Sequence, residues 1–403
     1  MVLLDILAQL RTALQFRLSA IHVNHQLSPR AGDWAEFCAG LCRAHGLPLE
    51  IVPVTLDLQA GDSLEAVARN LRYQVLARSS ADFLVLAHNL DDQAETLLLQ
   101  LLRGCGVEGA SAMAEENRRL LRPLLEIPRS ALEHYARRRG LQWVEDESNL
   151  DTRFDRNFLR QRLLPLLDER FPSYRETLSR ASRNFAESAG LQEELACQDA
   201  FHAIVDGKLS VPALALLSPS RAKNLLRHFL KLHGVPAPSA VRLDNALRQL
   251  LSARQDAQIR ISLGAVELRR FQNQICLVPG MVALPSDWRH AWHGEDLLEL
   301  AELGGALQFW PVRGQGISLD RLRREAVTVR VRQGGERLQP DCKRPRRSVK
   351  HLLQESGMPP WERERMPLLF SGEKLVAAMR LGVDCAYQAR PDEAGILLEW
   401  HAR

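Results

Sequence analysis

The chain has 403 residues, with 53 Lys and Arg against 49 Asp and Glu, a formal charge of +4, and 46% hydrophobic residues. This composition is that of an ordinary globular protein, and the length suggests two or three domains, which excludes a single small module. The longest leucine run, Leu97 to Leu102, is far shorter than the ~20 apolar residues that span a bilayer. Since Met1 to Asp5 has no basic leader, we expect a cytoplasmic protein without a signal peptide or membrane span.

The first ~165 residues alternate strand-like and helix-like segments, the pattern of a parallel sheet covered by helices. The helix that carries the apolar stripe from Leu64 to Val75 is expected to be N-capped by Asp62, with Glu65 three residues further on. In chain order we predict a helix over Met1–Leu14, a strand over Leu18–Val23, a helix over Asp33–His45, a strand over Leu49–Val54, that capped helix, and a strand over Phe83–Ala87.

The strand Phe83–Ala87 leads directly into a group of titratable residues. His88, Asp91, Asp92 and Glu95 stand at i, i+3, i+4 and i+7, which places them on one face of a helix. Open α/β sheets bind ligands at the carboxyl ends of their strands, so we favour a functional site that holds Mg²⁺, a substrate ammonium group, or both. The alternative is an ordinary acidic first turn capped by Asn89.

A second group of charged residues follows Asp146-Glu147-Ser148-Asn149. Arg153, Arg156 and Arg160 stand at i, i+3 and i+7, so a helix would present them as one stripe. The planar guanidinium group suits phosphate, but a solvated basic face would look similar, and from composition alone the two interpretations are even.

After Pro165 the sequence changes character, and the rest of the chain divides into shorter units. We predict a helix from Ser173 to about Asp206, helices over Ser220–Leu232 and Ser239–Leu251, and strands over Ile259–Leu263 and Glu267–Leu277. A helix over Ser348–Glu355 and a hairpin through Ser371-Gly372 are predicted nearer the C-terminus.

Basic residues are concentrated in an extended loop near the C-terminus, which contains Pro340 and Pro345 and a single acid, Asp341. We expect this loop to contact a polyanion rather than to be merely solvated. Its basic residues are Arg337, Lys343, Arg344, Arg346, Arg347 and Lys350.

The seven cysteines are odd in number and scattered, so no disulfide framework follows from the sequence. Cys38 and Cys42 lie one helical turn apart, but the sequence has no C-x-x-C pair for zinc or an iron–sulfur cluster. We interpret these two as small buried hydrophobic residues.

Taken together, nine segments resemble the bacterial tRNA(Ile)-lysidine synthetases of the PP-loop ATP pyrophosphatase group. The resemblance covers essentially the whole chain, and the order and spacing of the segments make it specific. The segments are Ile21–Ser28, Glu65–Tyr73, Ala87–Thr96, Leu101–Gly106, Arg122–Leu125, Asp146–Asn149, Arg156–Arg160, Arg332–Arg337 and Pro359–Arg363.

The resemblance implies an α/β fold class with a parallel-sheet PP-loop catalytic domain, adenine nucleotide α-hydrolase-like, followed by a small mostly helical domain and a small α+β C-terminal domain. The expected bounds are 1–170 for the catalytic domain, 171–210 for a connecting helix, 211–280 for a central tRNA or substrate-binding domain, 281–326 for a linker, and 327–403 for a C-terminal tRNA-binding domain.

The implied reaction uses ATP to adenylate C2 of the wobble cytidine in an isoleucine tRNA with a CAU anticodon, after which free lysine displaces AMP. The resemblance implies ATP and Mg²⁺ as cofactors and leaves a homodimer open. Asp92 and Glu95 would hold the lysine ammonium and help take its proton, with Arg69 near the reacting base and His88 near the nucleotide. The other implied sites are His25, Arg156 and Arg160 for ATP phosphates, Asp91 for Mg²⁺, and the six basic loop residues for tRNA.

The family begins with a strand and a Ser-Gly-Gly-x-Asp-Ser loop whose N–H groups cradle the ATP phosphates. Here Met1 to Leu7 looks like the helix that follows that loop, so either the start has been assigned at an internal Met or the gene is a decayed copy. We expect the upstream reading frame to encode the strand and loop, and we expect the 403-residue chain itself to be a poor or inactive enzyme.

Two other functions stay open. A related PP-loop tRNA thiolase would rely on paired cysteines, which Cys38 and Cys42 do not supply in the expected arrangement. A tRNA-binding protein without catalysis is the alternative from a different class.

Overall fold

The computed structural model describes residues 1–57, 64–254, 257–280, 284–285 and 287–402, apart from the side chains of Glu65 and Ala402. The chain divides into two compact units, Met1–Gln198 and Asp199–Arg403. No helix in the described residues is long and apolar enough to cross a membrane. The predicted cap Asp62 lies outside these residues.

The first unit alternates helices and short, mostly parallel strands, which confirms the predicted α/β class. Its strands are β1 Ala20–Asn24, β2 Leu49–Pro53, β3 Leu84–Val85, β4 Glu116–Asn117 and β5 Leu120–Leu121. Its helices are α1 Val2–Ala13, α2 Ala31–Ala44, α3 Leu64–Ala77, α4 Leu90–Leu102, α5 Val107–Ala110, α6 Arg129–Arg138, α7 Asp155–Phe158 and α8 Leu164–Arg170, with a 3₁₀ turn at Glu147–Leu150 and a π-helical turn at Leu159–Leu163. Helix α9, Tyr174–Ala203, contains the division between the units.

Strand pairing in the first unit brings the ends of separate strands to shared edges. β1 pairs with β2 in parallel, with Ala20 opposite Leu49. β3 pairs with β5 in parallel, with Leu84 opposite Leu120, and β4 lies antiparallel on the other side of β5. The residues that follow β3 and β5 therefore leave the sheet at the same edge.

The second unit begins with a helical layer packed on an antiparallel sheet. Its elements are β6 Ile204–Val205, β7 Lys208–Ser210, α10 Val211–Leu216, α11 Pro219–Leu232, α12 Ala240–Ser252, β8 Arg260–Leu263, β9 Val266–Phe271 and β10 Gln274–Pro279. The inward residues of α11 and α12, among them Leu226, Phe229 and Leu243, are fully buried, as their helical spacing predicts.

One strand prediction in this region is wrong. The segment predicted as a single strand over Glu267–Leu277 is a hairpin, β9 and β10, that turns at Gln272 and Asn273. Both turn residues have positive φ, 47° and 65°, as the two central residues of a type I′ turn require. Asn suits this conformation, but Gln gave no turn signal.

The remainder of the second unit is built from strands and short helices. They are β11 Arg289–Trp292, β12 Leu297–Leu300, β13 Gly305–Arg313, β14 Ile317–Ser318, α13 Leu319–Leu322, β15 Val327–Arg330, β16 Arg337–Leu338, β17 Arg347–Ser348, α14 Val349–Glu355, α15 Pro360–Arg365, β18 Leu368–Ser371, β19 Lys374–Ala378, β20 Gly382–Val383 and β21 Ala394–Ala402, with a 3₁₀ turn at Ala301–Leu303.

The stretch 281–326, expected as a linker, contains β11 to β14 in place of an extended connection. β11 pairs with β15, and β13 pairs with β21 along its whole length. Leu300, Leu307 and Phe309 are buried in the same core as β18 and β19. The glycines and prolines of this stretch favoured a linker, and the strands that pair with β11 and β13 lie far along the chain, so no local signal predicted them. Gly305 is required here, since a Cβ would meet the His401 carbonyl oxygen and the Trp400 ring.

Cys342 and Cys385 form a disulfide between residues 43 apart in sequence. This bond was not predicted, because neither the spacing nor the odd number of cysteines pointed to this pair. Backbone pairing brings the two cysteines together, since Cys385 N donates to Gln339 O and Gln339 N donates to a carboxylate oxygen of Asp384.

Candidate active site

Helix α4 begins directly after β3 with a capping box. The Asn89 side chain accepts a hydrogen bond from the Asp92 amide at 3.1 Å, while Asp92 Oδ2 accepts one from the Asn89 amide at 3.0 Å. Asp92 is therefore both a cap residue and a candidate site residue, because its second oxygen, Oδ1, stays available to other groups.

The predicted carboxylates and arginines meet in one ion-pair cluster. Glu95 is fully buried, and its Oε1 accepts from Arg160 Nε at 2.7 Å. Its Oε2 accepts from Arg156 Nε at 2.7 Å and from Arg160 Nη2 at 2.9 Å. Asp92 Oδ1 accepts from Arg156 Nη2 at 3.1 Å. We call these four residues the carboxylate–arginine cluster.

The two arginines of this cluster come from successive turns of backbone. Arg156 lies on α7, and Arg160 lies in the π-helical turn that follows. The i, i+4 spacing keeps both guanidinium groups on one face, and π-helical turns are frequent at functional sites. Asn157 Nδ2 donates to the carbonyl oxygens of Ser148 and Asp151, so the preceding acidic segment is tied to α7.

Arg153 does not join the predicted stripe. Its side chain is 89% exposed and forms an ion pair with Asp151 at 2.7 Å. The reason is that α7 begins only at Asp155, so the helical spacing on which the prediction depended does not include Arg153.

Asp91 points to a different set of partners. Its Oδ1 accepts from Arg175 Nε at 2.6 Å, and its Oδ2 accepts from the amide of Arg129 at 2.8 Å. Together with the contacts of Asp92 and Glu95, this means that the carboxylates of α4 are engaged by cationic or backbone donors. Both oxygens of Asp91 have donors in this structure, and Asp91 as a magnesium ligand stays a prediction.

His88 is partly buried beside positively charged groups. Its Nδ1 lies 3.3 Å from Arg122 Nε, which donates to it. Burial lowers the pKa of His88 to about 4, and the positive charges of four arginines add to this effect: Arg122, Arg156, Arg69 and Arg72. The imidazole is therefore neutral at physiological pH.

His25 lies at the end of β1 and shares a positive neighbour with His88. Burial lowers the pKa of His25, and the charges of Arg72 and His22 add to this. Its Nδ1 is buried without a hydrogen-bond partner among the described residues. Arg69, on α3, lies over the Tyr73 ring at 5.5 Å. The structure thus places His25, Arg69 and His88 around one electropositive region.

Sequence reasoning missed the roles of Arg122, Arg72 and Arg175 near this region. Arg122 belongs to a segment that carried the family resemblance, but it received no role. Its position directly after β5, at the edge shared with β3, could have identified it.

The basic C-terminal loop is closed at its base by the pairing of β16 with β17 and is linked to Cys385 by the disulfide. Three of its six predicted tRNA contacts have carboxylate partners: Arg344 pairs with Asp341, Arg346 with the buried Asp384, and Arg347 with Glu355. Arg337 Nη2 donates to the carbonyl oxygen of Arg346. Lys343 and Lys350 are exposed.

Comparisons with known proteins cover most of the chain. Residues 1–167 match the family model described as a PP-loop domain, 209–276 match the TilS substrate binding domain, and 327–400 match the TilS substrate C-terminal domain. The chain is 43% identical to a tRNA(Ile)-lysidine synthase of Nitrosomonas europaea, over 99% of this chain and 89% of that protein. It is 38% identical to one of Coxiella burnetii, over 94% of this chain and 86% of that protein.

Proposed function

Because this chain belongs to the tRNA(Ile)-lysidine synthase family, we propose that its carboxylate–arginine cluster is where lysine joins the wobble cytidine of an isoleucine tRNA. The chain is an ATP-dependent ligase of the PP-loop group that acts on tRNA(Ile). We place the reaction in the cytoplasm, with a CAU anticodon on the tRNA and free lysine as the second substrate. A homodimer and Mg²⁺ bound with ATP remain part of the proposal.

We assign Asp92 and Glu95 to the lysine ammonium group. Asp92 is the more accessible carboxylate, since its side chain is 18% exposed whereas that of Glu95 is 1% exposed. A carboxylate at this point can hold the ammonium group and take a proton from the attacking nitrogen as the C2–N bond forms and AMP leaves with the electron pair of the C2–O bond.

We assign Arg156 and Arg160 to the substrate phosphates, with His25 beside the nucleotide. Each guanidinium group carries five N–H donors, and hydrogen bonds to Glu95 and Asp92 use only some of them. The remaining donors can bind phosphoryl oxygens, and in a site of low dielectric they stabilise the negative charge that develops as pyrophosphate and then AMP depart. Arg69 adds positive charge to this side of the site, and the neutral His88 imidazole adds a hydrogen-bonding group.

The single observation that supports this proposal most strongly is the meeting of Asp92 and Glu95 with Arg156 and Arg160, which lie 61 to 65 residues away in sequence. Separate acidic and basic faces would have suited a merely solvated surface. One partly buried cluster that combines both charges at the carboxyl end of a strand suits a site that holds an amine beside phosphates.

The test is transfer of labelled lysine to isoleucine tRNA with ATP. It is run on this chain and on the same chain extended by the family's N-terminal strand and Ser-Gly-Gly-x-Asp-Ser loop. Asp92→Asn retains an oxygen for the capping box but removes the charge, so we expect transfer to be lost and tRNA affinity to stay nearly unchanged. Glu126→Gln removes an exposed carboxylate of the same unit and serves as the matched control.

Label in the tRNA that depends on Asp92 supports the synthetase. Tight tRNA binding without label in both chains would instead support the non-catalytic tRNA-binding protein. Equal loss of transfer in Asp92→Asn and Glu126→Gln would contradict the assignment of Asp92.

A further inference from the structure

Arg122 is held rigidly in place beside His88. Its side chain is buried, with 6% of the residue exposed. Its Nη1 donates to the Ala114 carbonyl oxygen at 2.7 Å, and its backbone amide donates to the Glu115 carbonyl oxygen at 2.8 Å. Its Nε also donates to His88 Nδ1 at 3.3 Å, so the guanidinium group bridges the Ala114 carbonyl oxygen, in the segment before β4, and the imidazole.

This contact determines which nitrogen of His88 carries the proton. A guanidinium group has five donors, no acceptor and a pKa too high to lose a proton. His88 Nδ1 must therefore face Arg122 with its lone pair. A neutral imidazole has one N–H, and that N–H must be on Nε2.

The charges around His88 also oppose a second proton on the ring. Burial is the largest cause of the lowered pKa of the imidazole, and the charges of four arginines lower it further. Arg122 follows β5, Arg156 lies on α7, and Arg69 and Arg72 lie on α3. The carboxylates of α4, the helix that follows His88, are engaged by Arg156, Arg160 and Arg175.

We propose that Arg122 is a positioning residue that fixes His88 as the Nε2–H tautomer, so that His88 donates a hydrogen bond to a phosphoryl oxygen of the nucleotide or the adenylated intermediate. This inference rests on the proposed function. His88 is then a hydrogen-bond donor and not the base that takes the lysine proton. That proton goes to a carboxylate of α4, for which Asp92 is the accessible candidate.

The direct test is ¹⁵N NMR of histidine side chains in the full chain, which distinguishes Nδ1–H from Nε2–H rings. His88→Gln identifies the His88 signals among the 12 histidines. We expect a neutral Nε2–H ring from pH 6 to 8. An Nδ1–H ring or an imidazolium in the unsubstituted chain would overturn the inference, and this result needs no variant of Arg122 to fold.

Substitutions at Arg122 test the cause. Arg122→Met removes the donor, so we expect a mixture of tautomers and protonation of His88 at higher pH, whereas Arg122→Lys keeps a donor and should restore much of the Nε2–H form. Arg119→Met is the matched control: Arg119 anchors the carbonyl oxygens of Ser79 and Ala81 beside the same small sheet without a histidine contact. An unchanged tautomer and titration in Arg122→Met would contradict the inference.

Lysine-dependent AMP release, measured on the chain extended by the strand and loop, separates this inference from the proposed function. Loss of a group that orients a metal-binding side chain typically costs about 10- to 100-fold in activity, and we take the same range for Arg122. We expect a loss of that size in Arg122→Met, greater at pH 6 than at pH 8, with recovery in Arg122→Lys. If Arg122→Met changed the tautomer of His88 but even the unsubstituted chain released no AMP with lysine, the proposed function would be refuted. The role of Arg122 in fixing the tautomer would still stand. Full activity with a changed tautomer would refute the role of His88.

Discussion

Replacing Glu95 by Gln tests how strongly the carboxylate–arginine cluster holds the first unit together. Gln has nearly the same shape, but its NH₂ group must face a guanidinium donor, and Arg156 and Arg160 lose their buried counter-charge. The three hydrogen bonds involved are 2.7, 2.7 and 2.9 Å long. Breaking a buried ion pair by removing one partner costs about 3–5 kcal/mol. Because Asp92 remains as a partial counter-charge, we expect the low end of that range, about 3 kcal/mol.

Hydrogen exchange of the α4 amides measures this loss locally, which suits a chain of two units that need not unfold together. At about 1.36 kcal/mol per tenfold change, a loss of about 3 kcal/mol accelerates exchange roughly 100-fold. Peptides from α11, in the second unit, are the internal reference. A double-mutant cycle adds the Arg160→Met variant and the variant that carries both substitutions. We expect the loss of stability in the double variant to be about 2 kcal/mol smaller than the sum of the losses in the two single variants.

Glu126→Gln provides the matched comparison, since the Glu126–Arg183 pair is 54% and 60% exposed. An exposed pair contributes about 0–1 kcal/mol, so its exchange rates should change by a few-fold at most. If Glu95→Gln accelerated α4 exchange no more than Glu126→Gln, the buried cluster would not stabilise this helix and the reasoning would be refuted.

Three other predictions concern pH, thiols and tRNA. The pKa of His88 is about 4 in the folded chain and about 6.5 in the unfolded chain, so the unfolded chain binds a proton first as the pH falls. The free energy of unfolding of the first unit should therefore fall by about 2 kcal/mol from pH 7 to pH 4, after allowance for solvent screening. Urea melts at each pH measure this change. Thiol titration of the unfolded chain should find five thiols without reductant and seven after reduction, and seven at the start would exclude the Cys342–Cys385 bond. Lys350→Ala should reduce by about 1 the slope of log affinity for tRNA against log salt concentration, whereas Arg137→Ala, in the first unit, should not change this slope. Equal slopes in the unsubstituted chain and both variants would contradict a role for the loop lysine.

Local signals predicted most helices correctly, because their causes lie within a few residues. Asn89 and Asp92 form the capping box that begins α4, and Ser348 caps α14 through the His351 amide; Asn and Ser are both common at helix N-caps. The apolar spacing of α11 and α12 likewise predicted buried faces that the structure confirms. The same reasoning placed the candidate site at the end of β3.

Features that depend on distant partners were beyond such signals. β13, whose first half is buried, pairs with β21 some 90 residues later, and nothing near Gly305 indicates that partner. The Cys342–Cys385 bond depends on the pairing around Gln339 in the same way. Arg156 and Arg160 were found as a helical pair, but their contact with Glu95 needs the fold of the intervening 61 to 65 residues.

The arginine partners of α4 also bear on how substrates can bind. In the present arrangement, each carboxylate of the cluster already has a guanidinium counter-charge, so an incoming ammonium group would compete with Arg156 and Arg160 for the same oxygens. A nucleotide changes this balance, because its phosphates are better matched to paired guanidinium donors than a single carboxylate oxygen is. Phosphates that draw the two arginines away would leave Asp92 with negative charge to offer. The same residues that stabilise the fold without substrates would then make lysine binding depend on prior binding of ATP, which keeps the amine out of the site until there is an activated base for it to attack.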